Sequence, residues 1–248
     1  MAATPRRPLQ EVLDEFGPLK DGTTVSASQA AGYRGKLPDA MVDFWIEYGR
    51  GQWRDGLFWI CDPEPIMPVL HALFAGDPEF DVARMVPFMR DAFGEVSVWH
   101  PKFKLITLKM NLGTVTTTDI TTHVIEGVPP FDDDMAVASA VDASVFDGHG
   151  WVDATTGKPV IDAVRRRLGP ISADQVYTMV PHFRLGGDGA ARDFSIGGFI
   201  EYLGVLSQIG SFTLERYIDP KQGGRGPFGH LEAVRTIGHE FLINRNTP

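Results

Sequence analysis

The chain has 248 residues, 43% of them apolar and 22% charged, which are the proportions of an ordinary globular protein. That length suffices for one large domain or two small ones, burying roughly 70–75% of the unfolded surface. A net charge of −9 argues against a nucleic-acid-binding surface, which needs clustered Lys and Arg. No stretch approaches the ~20 apolar residues of a membrane helix.

The single cysteine, Cys61, excludes an internal disulfide and fits a reducing compartment. Arg6 and Arg7 near the start have no apolar run behind them, so no signal peptide is expected and the protein is expected in the cytoplasm. The first strong element covers residues 37–49. Leu37, Met41, Phe44, Trp45 and Tyr48 form one apolar helical stripe. Pro38 suits the first turn, Asp39 the positive end of the dipole and Gly49 a left-handed cap. Residues 51–60 read as a hairpin turning at Asp55-Gly56 between aromatic residues. Asp62-Pro63-Glu64 opens a second helix, with Ile66, Val69, Leu70, Leu73 and Phe74 along one side. From Glu95 to Thr118, Val96, Val98, Phe103, Leu105, Thr107 and Lys109 alternate with their neighbours. Pro101-Lys102 and Asn111-Leu112-Gly113 mark tight connections, so an antiparallel meander of three strands is expected beneath the two helices. Residues 119–130 are less periodic and end on a linker, Gly127-Val128-Pro129-Pro130.

Asp132, Asp133 and Asp134 are placed to cap a helix carrying Met135, Ala138, Val141 and Val145. A turn-rich segment, Asp147-Gly148-His149-Gly150, leads to a helix with Val160, Ile161, Val164 and Leu168 inward and Gly169 as its stop. Arg165-Arg166-Arg167 suits the negative end of that helix dipole. Residues 175–183 read as a strand, 185–189 as a glycine-rich loop and 194–209 as a helix with Ile196, Phe199, Ile200, Leu203 and Leu206 inward. Residues 211–248 are the least defined part of the chain.

Several motifs have a chemical reading and a plainer one. Gly224-Arg225-Gly226-Pro227-Phe228-Gly229 formally satisfies a dinucleotide-binding pattern, but it lacks a preceding strand and contains Pro227, so a loop is the better reading. The histidines have no zinc-ligand spacing, and Gly238-His239-Glu240 lacks a second histidine four residues on. His123 and Glu126 near Asp132, Asp133 and Asp134 could form a carboxylate–histidine metal site, which would make a metal-dependent hydrolase a third functional class. A solvated acidic loop explains the same residues. Cys61, behind Trp59-Ile60, reads as a core residue, and Ser195 lies in no nucleophile elbow. No catalytic residue, metal ligand or cofactor is therefore expected. The aromatic cluster at residues 44–59 reads as core for Phe44, Trp45 and Phe58. Trp53, beside Arg54-Asp55 at the hairpin tip, is expected at the surface as an interface anchor.

Leu37-Pro38, Phe44-Trp45, Gly49, Gly51, Asp55-Gly56, Phe58 and Asp62-Pro63, in that order, resemble the string that opens the GAD-like domain. Leu168-Gly169-Pro170-Ile171, residues 176–181 and Leu185-Gly186-Gly187 resemble the C-terminal module of type VI secretion immunity proteins of the Tdi kind, once a domain of unknown function (DUF1851). The resemblance covers roughly residues 8–210 and implies a cytoplasmic protein that binds and silences a secreted nuclease toxin. The expectation is thus an α+β protein with helices on an antiparallel sheet in two contiguous modules, a GAD-like domain at 8–130 and an immunity module at 141–245. Its partner would be a cognate effector, a basic DNase, with no direct contact to nucleic acid or membrane. Trp53, Asp55, Asp132, Asp133 and Asp134 are the expected contact residues, the carboxylates steering a basic partner. The competing reading is a small-ligand or regulatory module whose pocket lies between the Trp-rich hairpin and the Gly186-Gly187 loop.

Overall fold

Residues 9–118, 133–141, 152–153, 156–218 and 230–238 are described by a computed structural model of the chain. Helix α1 (Gln10–Phe16) leads to strand β1 (Lys20–Thr23) and the short helix α2 (Ala27–Ala31). A capping box starts α2, Ser26 and Gln29 each accepting the other's backbone N–H. Helix α3 (Asp39–Tyr48) forms on the expected stripe, burying Met41, Val42, Phe44 and Trp45. Gly49 ends it at φ +79°, where a Cβ would stand 2.4 Å from the Thr23 carbonyl oxygen. A Cβ on Gly51 would stand 2.7 Å from the Lys20 carbonyl oxygen. These two glycines let strand β2 (Arg50–Trp53) run directly against β1.

The hairpin forms as expected, with β2 antiparallel to β3 (Phe58–Ile60) and Trp53 opposite Phe58. Arg54, Asp55 and Gly56 take positive φ at its turn. Helix α4 (Met67–Leu73) follows the turn after Pro63, and Ile66, Val69, Leu70, Leu73 and Phe74 are all buried. The expected meander is β5 (Glu95–His100), β6 (Lys104–Lys109) and β7 (Thr114–Thr118). It is joined to the hairpin by a fully buried strand, β4 (Val86–Asp91), that the sequence reading did not identify. These inner strands are covered on both faces. Val96 and Val98 of β5 pack in the apolar layer with α4, while Trp99, one residue on, packs in the layer with α3.

Helix α5 (Asp133–Ala140) packs on α3 and β6. It buries Ala136, Val137, Ala140 and Val141; of the expected stripe, Val141 is buried and Ala138 partly so, and the face centres on Ala136, Val137 and Ala140 instead. The first-turn carboxylates account for this: Asp133 reaches Lys104 and Asp134 reaches the start of α3, which fixes the rotation of the helix. Helix α6 (Val160–Leu168) buries Val160, Ile161 and Val164 and stops at Gly169, as expected. Strand β8 (Gln175–Met179) ends before the expected Phe183. The helix expected from Phe194 begins only at Phe199. Residues Phe194–Gly198 form β9, antiparallel to β8, and α7 (Phe199–Leu206) follows. Gly197 and Gly198 are poor helix formers, and pairing with β8 satisfies their backbone instead. Residues of the last, least defined region supply β10 (Phe212–Ile218), parallel to β7, and β11 (His230–Ile237), antiparallel to β10.

The strands assemble into a nine-stranded sheet of order β1-β2-β3-β4-β5-β6-β7-β10-β11 and a two-stranded sheet β8-β9. The fold is α+β, helices on a mostly antiparallel sheet. Both apolar layers draw side chains from before residue 118 and after residue 133. Asp132, the linker at 127–130, His123, Glu126, the turn at 147–150, the glycine motif at 224–229 and His239-Glu240 lie outside the described residues.

Candidate functional site

Strand β1, the β3–β4 pair, the turn at 61–66 and the start of α7 enclose a cleft of about 1000 Å³. Its buried end is cationic. Arg90, on β4, is 1% exposed and lies between two rings, 5.1 Å from the Trp59 ring centre and 4.3 Å from that of Phe199. Its guanidinium donates to the carbonyl oxygens of Asp91 (3.1 Å), Ser172 (3.4 Å) and Ala173 (2.8 Å). Burial lowers its pKa to about 10, so it keeps its charge at neutral pH. Among the described residues no carboxylate forms an ion pair with it.

Arg50, which begins β2, stacks over the Trp45 ring at 4.3 Å and pairs with Asp62 at 2.9 Å. Its Nε is buried without a hydrogen-bond partner among the described residues. Cys61 lines the same cleft, but burial pushes its thiol up to about 12, so it stays protonated and unreactive. The mouth is acidic: Asp21, Asp62, Glu64, Asp174 and Glu201 are exposed around it. Between mouth and floor the walls are apolar, formed by Val25, Trp59, Ile66 and Phe199. Such an arrangement suits binding by charge and shape.

A second cleft of about 1060 Å³ shares Asp21, Trp59 and Ala173 with the first and extends to Asp55, Asp162, Arg165 and Arg166. Asp55 projects from the hairpin turn and pairs with both Lys20 and Arg165 at 2.9 Å. The Lys20 hydrogen bond, then that of Arg165, holds its carboxyl below the usual range. Arg165 therefore ties α6 to the hairpin, a contact between residues 110 apart that no sequence spacing could signal.

The expected contact residues divide. Trp53 is 2% exposed: it packs against Phe44, and its indole N–H donates to the Gly17 carbonyl oxygen at 3.0 Å, so its expected surface position is corrected. The hairpin tip is exposed, but Trp53 is the last residue of β2 and points inward from it. Asp55 is at the surface, and Asp133 lies beside Lys104 at 2.5 Å, three strands away in the sheet. The Asp134 carboxylate accepts the Ala40 N–H at 2.9 Å. Asp55 and the Asp133-Asp134 pair are thus held in separate clusters. Trp59 lines both clefts, whereas Gly186 and Gly187 line neither, so the cleft beside the hairpin is closed by the turn at 172–174 and the start of α7 instead. Arg50 and Arg90 were missed. An arginine inside the apolar run Val86-Pro87-Phe88-Met89-Arg90 was the available signal.

Among the described residues no helix is long and apolar enough to cross a membrane, and no three His, Cys, Asp or Glu side chains are grouped to hold a metal ion. No curated protein matches the chain. In solved structures, the crystal structure of Atu4351 from Agrobacterium tumefaciens has a similar fold. It is 24% identical, with a TM-score of 0.77, the match covering 93% of this chain and 98% of that one. The opening string of Leu37-Pro38 to Asp62-Pro63 falls within the segment that matches a described family: residues 7–112 carry a GAD-like domain.

Proposed function

We propose that this chain is an immunity protein that binds and neutralises a cognate effector of a type VI secretion system, a nuclease acting on DNA. The observation that carries the reading is the GAD-like domain at residues 7–112 in a chain of net charge −9. A DNase must attract a polyanion and so presents basic surface, and an acidic inhibitor meets it with complementary charge and a fast on-rate. The C-terminal half, with its Leu168-Gly169-Pro170-Ile171 and Leu185-Gly186-Gly187 strings, is the proposed immunity module. Exposed carboxylates supply the steering charge, Asp55 and Asp133 among them. With Trp53 buried, the apolar anchors come from side chains that stand out from the surface, such as Leu185 at 65% and Val205 at 57% exposed. An interface of about 1,200–2,000 Å² is expected.

Co-expression with the nuclease toxin encoded beside it tests the reading. Restored growth together with a co-purifying stoichiometric complex is expected. Persistent growth arrest without a complex rejects it.

A further inference from the structure

The cleft under the Trp59 hairpin separates opposite charges along its depth. Arg90, almost fully buried, is hydrogen-bonded only to carbonyl oxygens and lies between ring faces, while the Asp91 and Asp174 carboxylates favour its charge from beyond ion-pair distance. No carboxylate among the described residues pairs with it directly, and an anionic group entering the cleft would supply that contact. Arg50, paired with Asp62 at 2.9 Å through its Nη1, adds a second cation whose buried Nε–H has no hydrogen-bond partner among the described residues. At the mouth the balance reverses. Asp21, Glu64 and Asp174 are held only by neutral donors, namely the Gln52 amide, the Tyr33 hydroxyl and the Ser172 hydroxyl. Glu201 stands beside them, and none of the four is in an ion pair among the described residues.

We propose that this cleft binds a small amphoteric molecule, its carboxylate directed inward to Arg90 and Arg50 and its ammonium or guanidinium outward to the acidic mouth. An anion alone would be repelled at the mouth, and a cation alone would leave Arg90 without a direct anionic partner. Apolar walls between the two ends fit a methylene chain, so the basic amino acids are the class that satisfies all three zones.

Titration calorimetry of the full chain with L-arginine and L-lysine tests this, with agmatine (no carboxylate) and L-norvaline (no cationic side chain) as paired controls. Saturable binding of arginine or lysine is expected, at least about tenfold tighter than either control. Asp174→Asn and Glu201→Gln sit at the exposed mouth and should leave the melting temperature unchanged while weakening binding about threefold or more each. Arg90→Gln should abolish binding, and the mouth variants keep the test valid if that protein fails to fold. Absence of saturable binding by both amino acids overturns the proposal. Equal binding of agmatine also overturns it, because the acidic mouth alone would then be the attraction.

Discussion

His100 shows how a single side chain couples this fold to pH. It is 2% exposed at the end of β5, with its ring 5.1 Å from that of Phe103. Its Nδ1 accepts the N–H groups of Lys102 (3.0 Å) and Phe103 (3.3 Å), which fixes the turn into β6. Burial first, then the Arg84 cation with a smaller push from Lys102, holds its pKa at about 4, while Asp81 pulls weakly the other way. A proton on Nδ1 would break both bonds. Because the folded value lies below the unfolded one of 6.5, the unfolded chain takes up the proton first. Stability is therefore full above about pH 6.5 and falls as the pH drops towards 4. His182, also buried and also accepting a backbone N–H at Nδ1, is shifted in the same direction. Urea midpoints at pH 7, 6 and 5 should show a loss of about 1–2 kcal/mol by pH 5, before most carboxylates titrate. His100→Asn, whose amide oxygen can accept the same bonds, should remove roughly half of that slope. An unchanged slope in the variant would clear His100 of the role.

At the scale of elements, helix α3 depends on a residue far along the chain. Pro38 precedes it and offers no side-chain cap, so the Ala40 N–H is satisfied by Asp134 from α5. Asp134→Ala should cost about 1 kcal/mol in chemical denaturation. The neighbouring Asp133→Ala, which removes only an exposed pair with Lys104, should cost about 0–0.5 kcal/mol. Equal losses would mean that the cap contributes nothing beyond surface charge. The contrast also marks what the sequence could disclose. The helix over Asp39–Tyr48, the hairpin and the β5–β7 meander were legible because their signals are local: a stripe, a turn dipeptide, an alternation. Residues 194–198 were misread because Ile196, Phe199, Ile200 and Leu203 suit a helical period, while the partner that makes β9 a strand lies about twenty residues earlier. Strand β4 was invisible for a related reason: buried on both faces, it carries no alternation. The cleft followed from neither, since Arg50, Arg90, Asp174 and Glu201 meet only after the sheet and α7 are in place.

Across the whole molecule the sheet joins strands from both sides of the boundary that the sequence suggests at residues 127–130. Strand β7 pairs on one side with β6 and on the other with β10, Thr114–Thr117 facing Thr213–Arg216. The first apolar layer takes Ala136, Val164 and Tyr177 alongside Trp45 and Phe88, and the second takes Phe199 and Leu214 alongside Leu70 and Val98. A fragment of residues 1–118 would keep the string that carries the GAD-like match yet leave the β7 edge unpaired and both layers open to water. Two consequences follow for unfolding. The full chain should melt in one cooperative step, with far-UV circular dichroism and tryptophan fluorescence giving the same midpoint. The fragment should show no cooperative transition and should bind a hydrophobic dye, as expected of a compact chain without fixed packing. A fragment that melts sharply near the midpoint of the full chain would show instead that the first seven strands carry their own core, with β10 and β11 added to a fold already complete.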